Sequence, residues 1–213
     1  MGWSNPIHPA TAGHTEMDPS VTTQPSPRWE RLADAAAFAF AAHADQVRKG
    51  TTIPYLSHLM SVAALVLEHG GTEDQAIAGL LHDAIEDVGA EQEALIAERF
   101  GPRVARIVRS CTDADVHPKP PWRARKEVYV AHLEHADFDA LIVSCADKLH
   151  NARAIVADLR THGTGVFDRF RGGQSGTMWY YTTLSEVFSR RLATSLSREL
   201  SLVVGEMVRL TQG

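Results

Sequence analysis

Apolar residues recur every three or four positions over most of the chain after about residue 28. This spacing is typical of one face of an α-helix, which makes a turn every 3.6 residues. The clearest runs contain Leu32, Ala36 and Phe40; Leu59, Val62, Leu65 and Val66; Val104, Ile107 and Val108; and Leu141, Ile142, Val143, Cys145, Leu149 and Ile155. Half-buried strands are indicated by alternating apolar and polar residues, and nowhere does the sequence contain several runs of this kind. The pattern predicts an all-α fold of roughly eight to ten helices.

The sequence also indicates several helix boundaries. Trp29 to about Gln46 is rich in alanine and predicts the first long helix. Thr72, followed three residues later by Gln75, has the form of a capping box and predicts the start of a central helix. Residues 161–176 are rich in glycine, and we expect a loop there.

The first 27 residues differ in composition from the rest of the chain. They contain five prolines among serine, threonine, glycine and histidine, and few bulky apolar residues. Such a segment cannot bury enough apolar surface to offset the entropy cost of ordering it. We therefore expect a flexible tail over residues 1–27 and one domain over residues 28–213.

The stretch Leu80–Val88, with the sequence Leu-Leu-His-Asp-Ala-Ile-Glu-Asp-Val, places four ionisable residues among apolar ones. On a single helix, His82 and Glu86 would share an edge, and so would Asp83 and Asp87, because each pair is four residues apart. Burial of an imidazole and three carboxylates is costly unless partners, water or a cation neutralise them. The pattern favours a bound divalent metal, and the alternative is a solvated acidic helix face.

Two further residues fit the same chemistry. His58 lies at the start of the second predicted helix, and Asp147 follows small or apolar residues, where a carboxylate needs a positive partner. Asn151, one helical turn after Asp147, is expected to face the same way. His150 is offset from that face, and we interpret it as an exterior or hydrogen-bonded histidine.

These observations give four candidate metal ligands on three predicted helices: His58, His82, Asp83 and Asp147. Two imidazoles and two carboxylates suit a single Mn²⁺, Fe²⁺ or Zn²⁺ ion, whereas the absence of thiolates disfavours a structural zinc site. Three helices must converge for such a site to form, and a helical bundle allows this.

Composition narrows the classes of function. The chain has 213 residues, of which 44% are hydrophobic and 22% charged, as expected of a globular protein. Its net charge of −5 argues against a general nucleic-acid binder but allows an anionic small molecule. Its two cysteines, Cys111 and Cys145, cannot form a disulfide framework, and neither a membrane-spanning run nor a signal peptide is evident. We expect a cytoplasmic protein without a membrane partner, and the oligomeric state stays open.

Several ordered segments resemble the HD superfamily of metal-dependent phosphohydrolases. Within it, the chain is similar to the alarmone hydrolases, which include the hydrolase half of the RelA/SpoT proteins and the small stand-alone enzymes. The matching segments are Arg48-Lys49 before Pro54-Tyr55 and His58, then Leu80–Asp87, Phe100-Gly101 and Ala146–Asn151. The resemblance covers roughly residues 29–190 and implies an HD-domain helical bundle.

Carried over position by position, the resemblance implies a role for each candidate residue. The implied metal ligands, usually of Mn²⁺ although another divalent ion is open, are His58, His82, Asp83 and Asp147. The implied pair that positions and deprotonates the attacking water is Glu86 and Asp87. The implied contacts to the guanine base and phosphates are Arg48 and Lys49, and the implied contact to the ribose is Asn151.

The residues expected to contact the substrate match the family pattern less completely than the metal ligands do. Lys119 lies in a basic loop that can meet phosphates, although a solvated surface explains the loop almost as well. Tyr180 lies in an aromatic cluster of a kind that more often packs in a core, and a lid or stacking role stays open. Relatives carry an arginine for the distal phosphates shortly before an aromatic pair, whereas this chain has none at the equivalent place before Trp179 and Tyr180. Arg171 is a candidate replacement. Leu59 also stands where proline is common in the family.

The resemblance implies hydrolysis of (p)ppGpp to GDP or GTP and pyrophosphate, the reaction that degrades the alarmone of the stringent response. Two alternatives stay open. The same metal chemistry can act on another nucleotide, such as pppApp, the 2′-phosphate of NADPH or a nucleoside monophosphate. The domain can also bind an alarmone without catalysis, but Glu86 and Asp87 favour an enzyme, because a sensor needs no group that activates water.

Overall fold

The structure is a computed structural model that describes residues 29–113, 118 and 120–212. Over these residues it contains ten α-helices, one 3-10 helix and no β-strand. The prediction of an all-α fold is therefore confirmed. Among the described helices, none combines the length and the apolar character that crossing a membrane requires. The expected flexible tail, residues 1–27, lies outside the described residues.

The helices follow one another closely along the chain. Their bounds are α1 Glu30–Ala42, α2 Leu56–Glu68, α3 Glu73–Leu81, α4 Ala84–Asp87, α5 Gln92–Phe100, α6 Pro102–Cys111, α7 Trp122–Leu133, α8 Phe138–His162, α9 Gly173–Arg191 and α10 Ser195–Gln212. The 3-10 helix, Gly163–Arg169, connects α8 to α9.

Helix α8 is the central element of the bundle. It packs against α2, α3 and α6 in the first half of the chain and against α9 and α10 in the second half. Most of its apolar residues between Ala140 and Leu159 are buried, which explains the long apolar run in the sequence. A polar side chain in the middle of α8 therefore lies inside the bundle.

Helices α2 and α3 approach each other closely where Gly79 faces Ala63. A Cβ atom on Gly79 would lie 3.3 Å from both the backbone nitrogen and the Cα atom of Ala63. This is close to the steric limit, so a larger side chain at Gly79 would push the two helices apart. The approach brings His58 of α2 near His82, which directly follows α3.

The structure confirms one predicted boundary and shifts two others. Thr72 and Gln75 form the expected capping box at the start of α3. The first helix ends at Ala42 rather than near Gln46, whose carbonyl instead accepts a hydrogen bond of 2.8 Å from the backbone of Tyr55. The predicted glycine-rich loop, residues 161–176, contains the 3-10 helix and the start of α9.

The prediction that Leu80–Val88 forms one helix is wrong. Helix α3 ends at Leu81, and α4 begins three residues later, after a turn at His82 and Asp83. His82 Nδ1 lies 2.8 Å from the carbonyl oxygen of Gly79. In a continuous helix that carbonyl would accept from the backbone N–H of Asp83, so the histidine ring competes for the same acceptor.

Candidate metal centre

Four side chains from three segments of the chain meet inside the bundle. His58 lies in the first turn of α2, His82 and Asp83 form the turn after α3, and Asp147 lies in the middle of α8. The Nε2 atoms of His58 and His82 are 3.3 Å apart. The Oδ2 atom of Asp83 lies 2.9 Å from His82 Nε2 and 3.7 Å from His58 Nε2.

Asp147 completes the cluster with its Oδ1 atom. This atom lies 3.3 Å from His58 Nε2 and 3.7 Å from His82 Nε2. Ligand atoms that each lie about 2.1 Å from one metal ion are separated from one another by about 3.0 to 3.5 Å. The donor atoms of His58, His82 and Asp83 lie close enough together to share one ion, and Asp147 Oδ1 lies within 3.7 Å of both histidine nitrogens. Imidazole nitrogens and carboxylate oxygens are donors that suit a divalent cation.

Both imidazoles are oriented by a contact at the nitrogen that faces away from the cluster. His82 Nδ1 lies 2.8 Å from the carbonyl oxygen of Gly79. His58 Nδ1 lies 2.8 Å from His150 Nδ1. Both Nε2 atoms are thereby directed toward the carboxylates, which is the arrangement that metal-binding histidines need.

Both carboxylates also have partners outside the cluster. The hydroxyl of Tyr55 donates a short hydrogen bond to Asp83 Oδ2. Lys148 Nζ lies 2.5 Å from Asp147 Oδ2, and Asn151 Nδ2 donates to Asp147 Oδ1 at 2.5 Å. These contacts fix the directions in which the two carboxylates point.

The electrostatics of the cluster couple its members. Burial alone lowers the pKa of His82, but the carboxylates of Asp83 and Asp147 outweigh this and hold that pKa well above 6.5. Burial raises the pKa of both carboxyl groups, and the positive charges beside them, foremost His82 for Asp83 and Lys148 for Asp147, lower it below the usual range. A proton on His82 thus compensates negative charge that a metal ion would otherwise neutralise.

The pKa values of His58 and of the neighbouring His150 shift in the opposite direction to that of His82. Burial lowers the pKa of His58, despite the nearby carboxylate of Asp147. Burial, followed by the charge of His58 and that of Arg48, lowers the pKa of His150 to about 4. Both rings are therefore neutral at neutral pH.

The two carboxylates predicted to act on water lie three and four residues after the ligand Asp83, on the short helix α4. Each carboxylate accepts a hydrogen bond from a different segment of the chain. Glu86 Oε2 accepts a hydrogen bond of 3.3 Å from the backbone N–H of Asp113, after α6. Asp87 Oδ2 accepts one of 2.8 Å from Gln46 Nε2, in the segment after α1. The turn at residues 82–83 thus starts the short helix that carries both carboxylates, within four residues of the ligand Asp83.

A second group of charges lies next to Glu86. Asp113 Oδ2 is 2.5 Å from Arg125 Nη1 and 2.6 Å from Lys126 Nζ, both on α7. Arg125 Nη1 also lies 4.0 Å from Glu86 Oε1. Because all three members are largely buried, this ion group fixes the start of α7 beside the candidate site.

The predicted substrate contacts are distributed around the cluster. Arg48 Nη2 donates to Asn151 Oδ1 at 2.9 Å, so these two residues lie together beside Asp147, whereas Lys49 is exposed. Tyr180 is only 5% exposed, and Lys126 Nζ lies 5.0 Å from the centre of its ring. The structure therefore places the phenol inside the bundle rather than on an open surface. Lys119 lies outside the described residues.

Arg171, the candidate replacement for the family arginine, lies at an open pocket of about 480 Å³. The pocket is also lined by Trp122, Arg123, Gly172, Ser175 and Gly176. The edge of the Trp122 ring fills the space where Gly172 would carry a side chain, since a Cβ there would lie 2.6 Å from it.

Three residues support the metal centre in a way that the sequence did not predict: Tyr55, Lys148 and His150. All three lie within the segments that resemble the HD superfamily, but nothing in their spacing showed which ligand each contacts. The interpretation of His150 was right in that its ring is hydrogen-bonded, but its partner is the candidate ligand His58.

Comparison with known proteins identifies the family. A family model described as "HD domain" matches residues 35–178. The chain belongs to the HD-domain family. All four clustered side chains lie within the matched residues, and they include the adjacent histidine and aspartate, His82 and Asp83.

Named relatives of this HD-domain protein include hydrolases from animals and bacteria. It is 38% identical over 125 residues to guanosine-3′,5′-bis(diphosphate) 3′-pyrophosphohydrolase MESH1 of Xenopus tropicalis, and the match covers 57% of this chain and 68% of the relative. It is 42% identical over 126 residues to guanosine-3′,5′-bis(diphosphate) 3′-pyrophosphohydrolase of Aquifex aeolicus, covering 59% of this chain and 18% of that longer protein.

A solved structure shows the same fold. The structure of a metazoan orthologue of SpoT that hydrolyses ppGpp superposes with a TM-score of 0.69 at 23% sequence identity. The superposition covers 85% of this chain and 97% of the other. The HD-domain bundle predicted from the sequence is therefore confirmed as a fold.

Proposed function

We propose that this HD-domain protein is a metal-dependent 3′-pyrophosphohydrolase that converts (p)ppGpp to GDP or GTP and pyrophosphate. The observation that carries the proposal is the convergence of His58, His82, Asp83 and Asp147, with Glu86 and Asp87 on the short helix that follows Asp83. This arrangement provides a metal site and a proton acceptor next to each other. The activities named for the relatives favour the guanosine tetra- and pentaphosphates as substrates.

Mn²⁺ is the metal that we assign to the four ligands. Nitrogen and carboxylate donors without thiolate suit Mn²⁺, Fe²⁺ or Zn²⁺, and the resemblance to the alarmone hydrolases favours Mn²⁺. A divalent cation in such a site acts as a Lewis acid for water and for phosphoryl oxygens.

Glu86 and Asp87 supply the acid–base chemistry in this proposal. One of the two carboxylates accepts a proton from the attacking water, and the other orients that water. The water oxygen forms a bond to phosphorus, and the bond from phosphorus to the 3′ oxygen breaks. The 3′ oxygen takes a proton from solvent, and the carboxylate releases to solvent the proton that it took from the water. The hydrogen bonds from Asp113 and Gln46 keep the two carboxylates in place. The step needs no covalent enzyme intermediate.

The substrate is bound around the metal centre. Arg48 and Asn151, which are hydrogen-bonded to each other, are assigned to the base and the ribose, and Lys49 to the phosphates. Lys119 is assigned to the phosphates from its place in a basic loop. Tyr180 is assigned to the buried wall of the site. Its ring lies beside Lys126, where α9 packs on α7.

We place this reaction in the cytoplasm. Cys111 and Cys145 are both buried free thiols, as expected in a reducing compartment. The ligand class is a small nucleotide rather than nucleic acid or a membrane, in keeping with the net charge of −5.

The test is to incubate purified, Mn²⁺-loaded protein with ppGpp, pppGpp, pppApp and NADPH in parallel, and to separate the products by anion-exchange chromatography. We expect pyrophosphate together with GDP or GTP from the first two substrates. EDTA should abolish the reaction, and fresh Mn²⁺ should restore it.

A Glu86→Gln variant separates an enzyme from a binding module. It should bind ppGpp but release pyrophosphate about 10²- to 10⁴-fold more slowly, because the amide can neither accept the proton nor orient the water as the carboxylate does. Preferred turnover of pppApp or NADPH would support the metal-dependent reaction but contradict (p)ppGpp as the substrate. Absence of turnover of all four compounds by protein that holds one metal ion per chain would contradict the proposal.

A further inference from the structure

The histidine pair formed by His58 and His150 has a hydrogen-bonding constraint. The two Nδ1 atoms are 2.8 Å apart, and the ring centres are 4.9 Å apart. A contact of this length between two ring nitrogens is a hydrogen bond only when one nitrogen carries a proton and the other presents its lone pair. Two protons would repel each other, and so would two lone pairs.

Metal binding by His58 decides which nitrogen carries the proton. Its Nε2 atom faces His82 and Asp147, so a cation there uses the Nε2 lone pair. A neutral imidazole that binds through Nε2 carries its proton on Nδ1. His58 therefore donates, and His150 accepts through Nδ1 and carries its own proton on Nε2.

We propose that His150 is a positioning residue for the metal centre, which sets the tautomer and the ring orientation of His58 by accepting a hydrogen bond from its Nδ1–H. The inference rests on the metal site of the proposed function but not on the identity of its substrate. His150 touches no substrate in this role and acts only through His58.

The contrast with His82 shows why His150 matters. The equivalent partner of His82 is the carbonyl oxygen of Gly79, at 2.8 Å, which belongs to the backbone of α3. A side-chain substitution does not remove that acceptor. The only acceptor that the described structure offers to His58 Nδ1 is a side chain, so a change at position 150 removes the orientation of one ligand and leaves the other intact.

The placement of His150 on α8 links two ligands. It follows Asp147 by three residues on the same helix, so the backbone that carries one metal ligand also carries the partner of another. Asn151 and Lys148, on either side of it, contact Asp147 itself. This one turn of α8 therefore supplies a ligand and the groups that orient two ligands.

The test compares His150→Leu with His150→Asn. Leucine has a similar volume but no acceptor, and we expect a loss of about 10- to 100-fold in metal affinity, as found when partners of metal-binding histidines are removed. The Oδ1 atom of asparagine can take the place of Nδ1, and this variant should stay within about threefold of the wild type. Affinity for Mn²⁺ and Zn²⁺ is measured by titration calorimetry, with unfolding of each metal-free variant followed by circular dichroism.

His132→Leu is the matched control, because His132 also makes a hydrogen bond through its ring, to Ser110, but lies away from the cluster. It should leave metal affinity unchanged. If His150→Leu fails to fold, nitrogen NMR of the Zn²⁺-loaded wild type decides. Protons on His58 Nδ1 and His150 Nε2 are expected, and the opposite tautomer of His150 would overturn the inference.

Wild-type metal affinity in His150→Leu would also overturn it, and so would equal losses in the leucine and asparagine variants. Because metal affinity is measured without nucleotide, a failure of this inference is distinct from a failure of the proposed reaction. Protein that binds metal with the expected contrast but hydrolyses no nucleotide would contradict only the latter.

Discussion

The metal-ligand cluster and the residues assigned to the substrate are held in different ways. His58, His82 and Asp147 are almost completely buried, and each of them contacts a partner outside the cluster. Among the substrate residues, Arg48 is half-buried and Lys49 is exposed on the segment before α2. The cluster therefore has one fixed geometry, whereas side chains such as Lys49 can adapt to a bound molecule.

This difference separates the reaction from the choice of substrate. A metal site needs ligand atoms fixed within a few tenths of an ångström, and buried helices with outer partners provide this. Contacts to a base and to phosphates tolerate more variation and come from connecting segments. We therefore expect substitutions in the cluster to abolish the reaction and substitutions at the substrate residues to change affinity or preference.

The largest effect is expected for Asp147→Asn, which keeps the shape of the side chain but removes a ligand charge and leaves Lys148 without its anionic partner. Lewis-acid stabilisation of a transition state is worth several kcal/mol, so kcat should fall by about a thousandfold or more. Metal content after dialysis, measured by plasma mass spectrometry, should fall with it. Asp139→Asn is the control, because Asp139 lies on the same helix as Asp147 but pairs with Arg103 of α6 and binds no metal.

Glu86→Gln should have the next largest effect on the rate. Loss of a general base typically costs about 10²- to 10⁴-fold in rate, and the amide is close in size to the carboxylate. Metal affinity should be unchanged, because Glu86 is not among the four ligands. Glu93→Gln, which weakens an exposed ion pair with Arg109, should leave kcat unaltered. Loss of metal from the Glu86 variant would show that the two roles are not separate.

Arg48→Ala should weaken substrate binding but leave the metal in place. A hydrogen bond to a charged group is worth about 1.5 to 3 kcal/mol, which corresponds to a rise of about 10- to 100-fold in KM for ppGpp. Steady-state kinetics and metal titration check this, with Arg160→Ala, in a surface ion pair with Glu206, as the control. A large fall in kcat with unchanged KM would place Arg48 in the cluster rather than around it.

The smallest effect concerns the pH dependence of metal affinity. The raised pKa of His82 means that the metal-free protein holds a proton there at and above pH 6.5, and a metal ion must displace it. Affinity should therefore rise as the pH rises above 6.5, by about tenfold per unit for one displaced proton, and level off above the raised pKa. His58 adds no competition in this range, because its pKa is lowered. Titrations at several pH values, with proton release followed in two buffers, check the slope; a flat profile would contradict it.

The fold was predictable because its signals are local. The helical spacing of apolar residues and the capping box at Thr72 and Gln75 each involve residues close in the chain, and the structure confirms both. The break at His82 and Asp83 was missed, because it depends on the His82 ring reaching the carbonyl of Gly79. Hydrophobic spacing does not report such a contact.

The candidate ligands could be named from the sequence, but their supporting partners could not. His58, His82, Asp83 and Asp147 combine unusual residue types with apolar surroundings, and the resemblance to a known family placed them in order. The contact of His150 with His58 joins residues 92 positions apart, and its direction depends on the rotation of α8 relative to α2. Only the assembled bundle shows it.

The most direct test of the metal centre is anomalous X-ray diffraction at the manganese edge from crystals grown with Mn²⁺. We predict one strong peak per chain, about 2.0 to 2.3 Å from His58 Nε2, His82 Nε2 and carboxylate oxygens of Asp83 and Asp147. No peak at saturating Mn²⁺, or a peak that these four side chains do not share, would contradict the central claim that three segments of the bundle hold one catalytic cation.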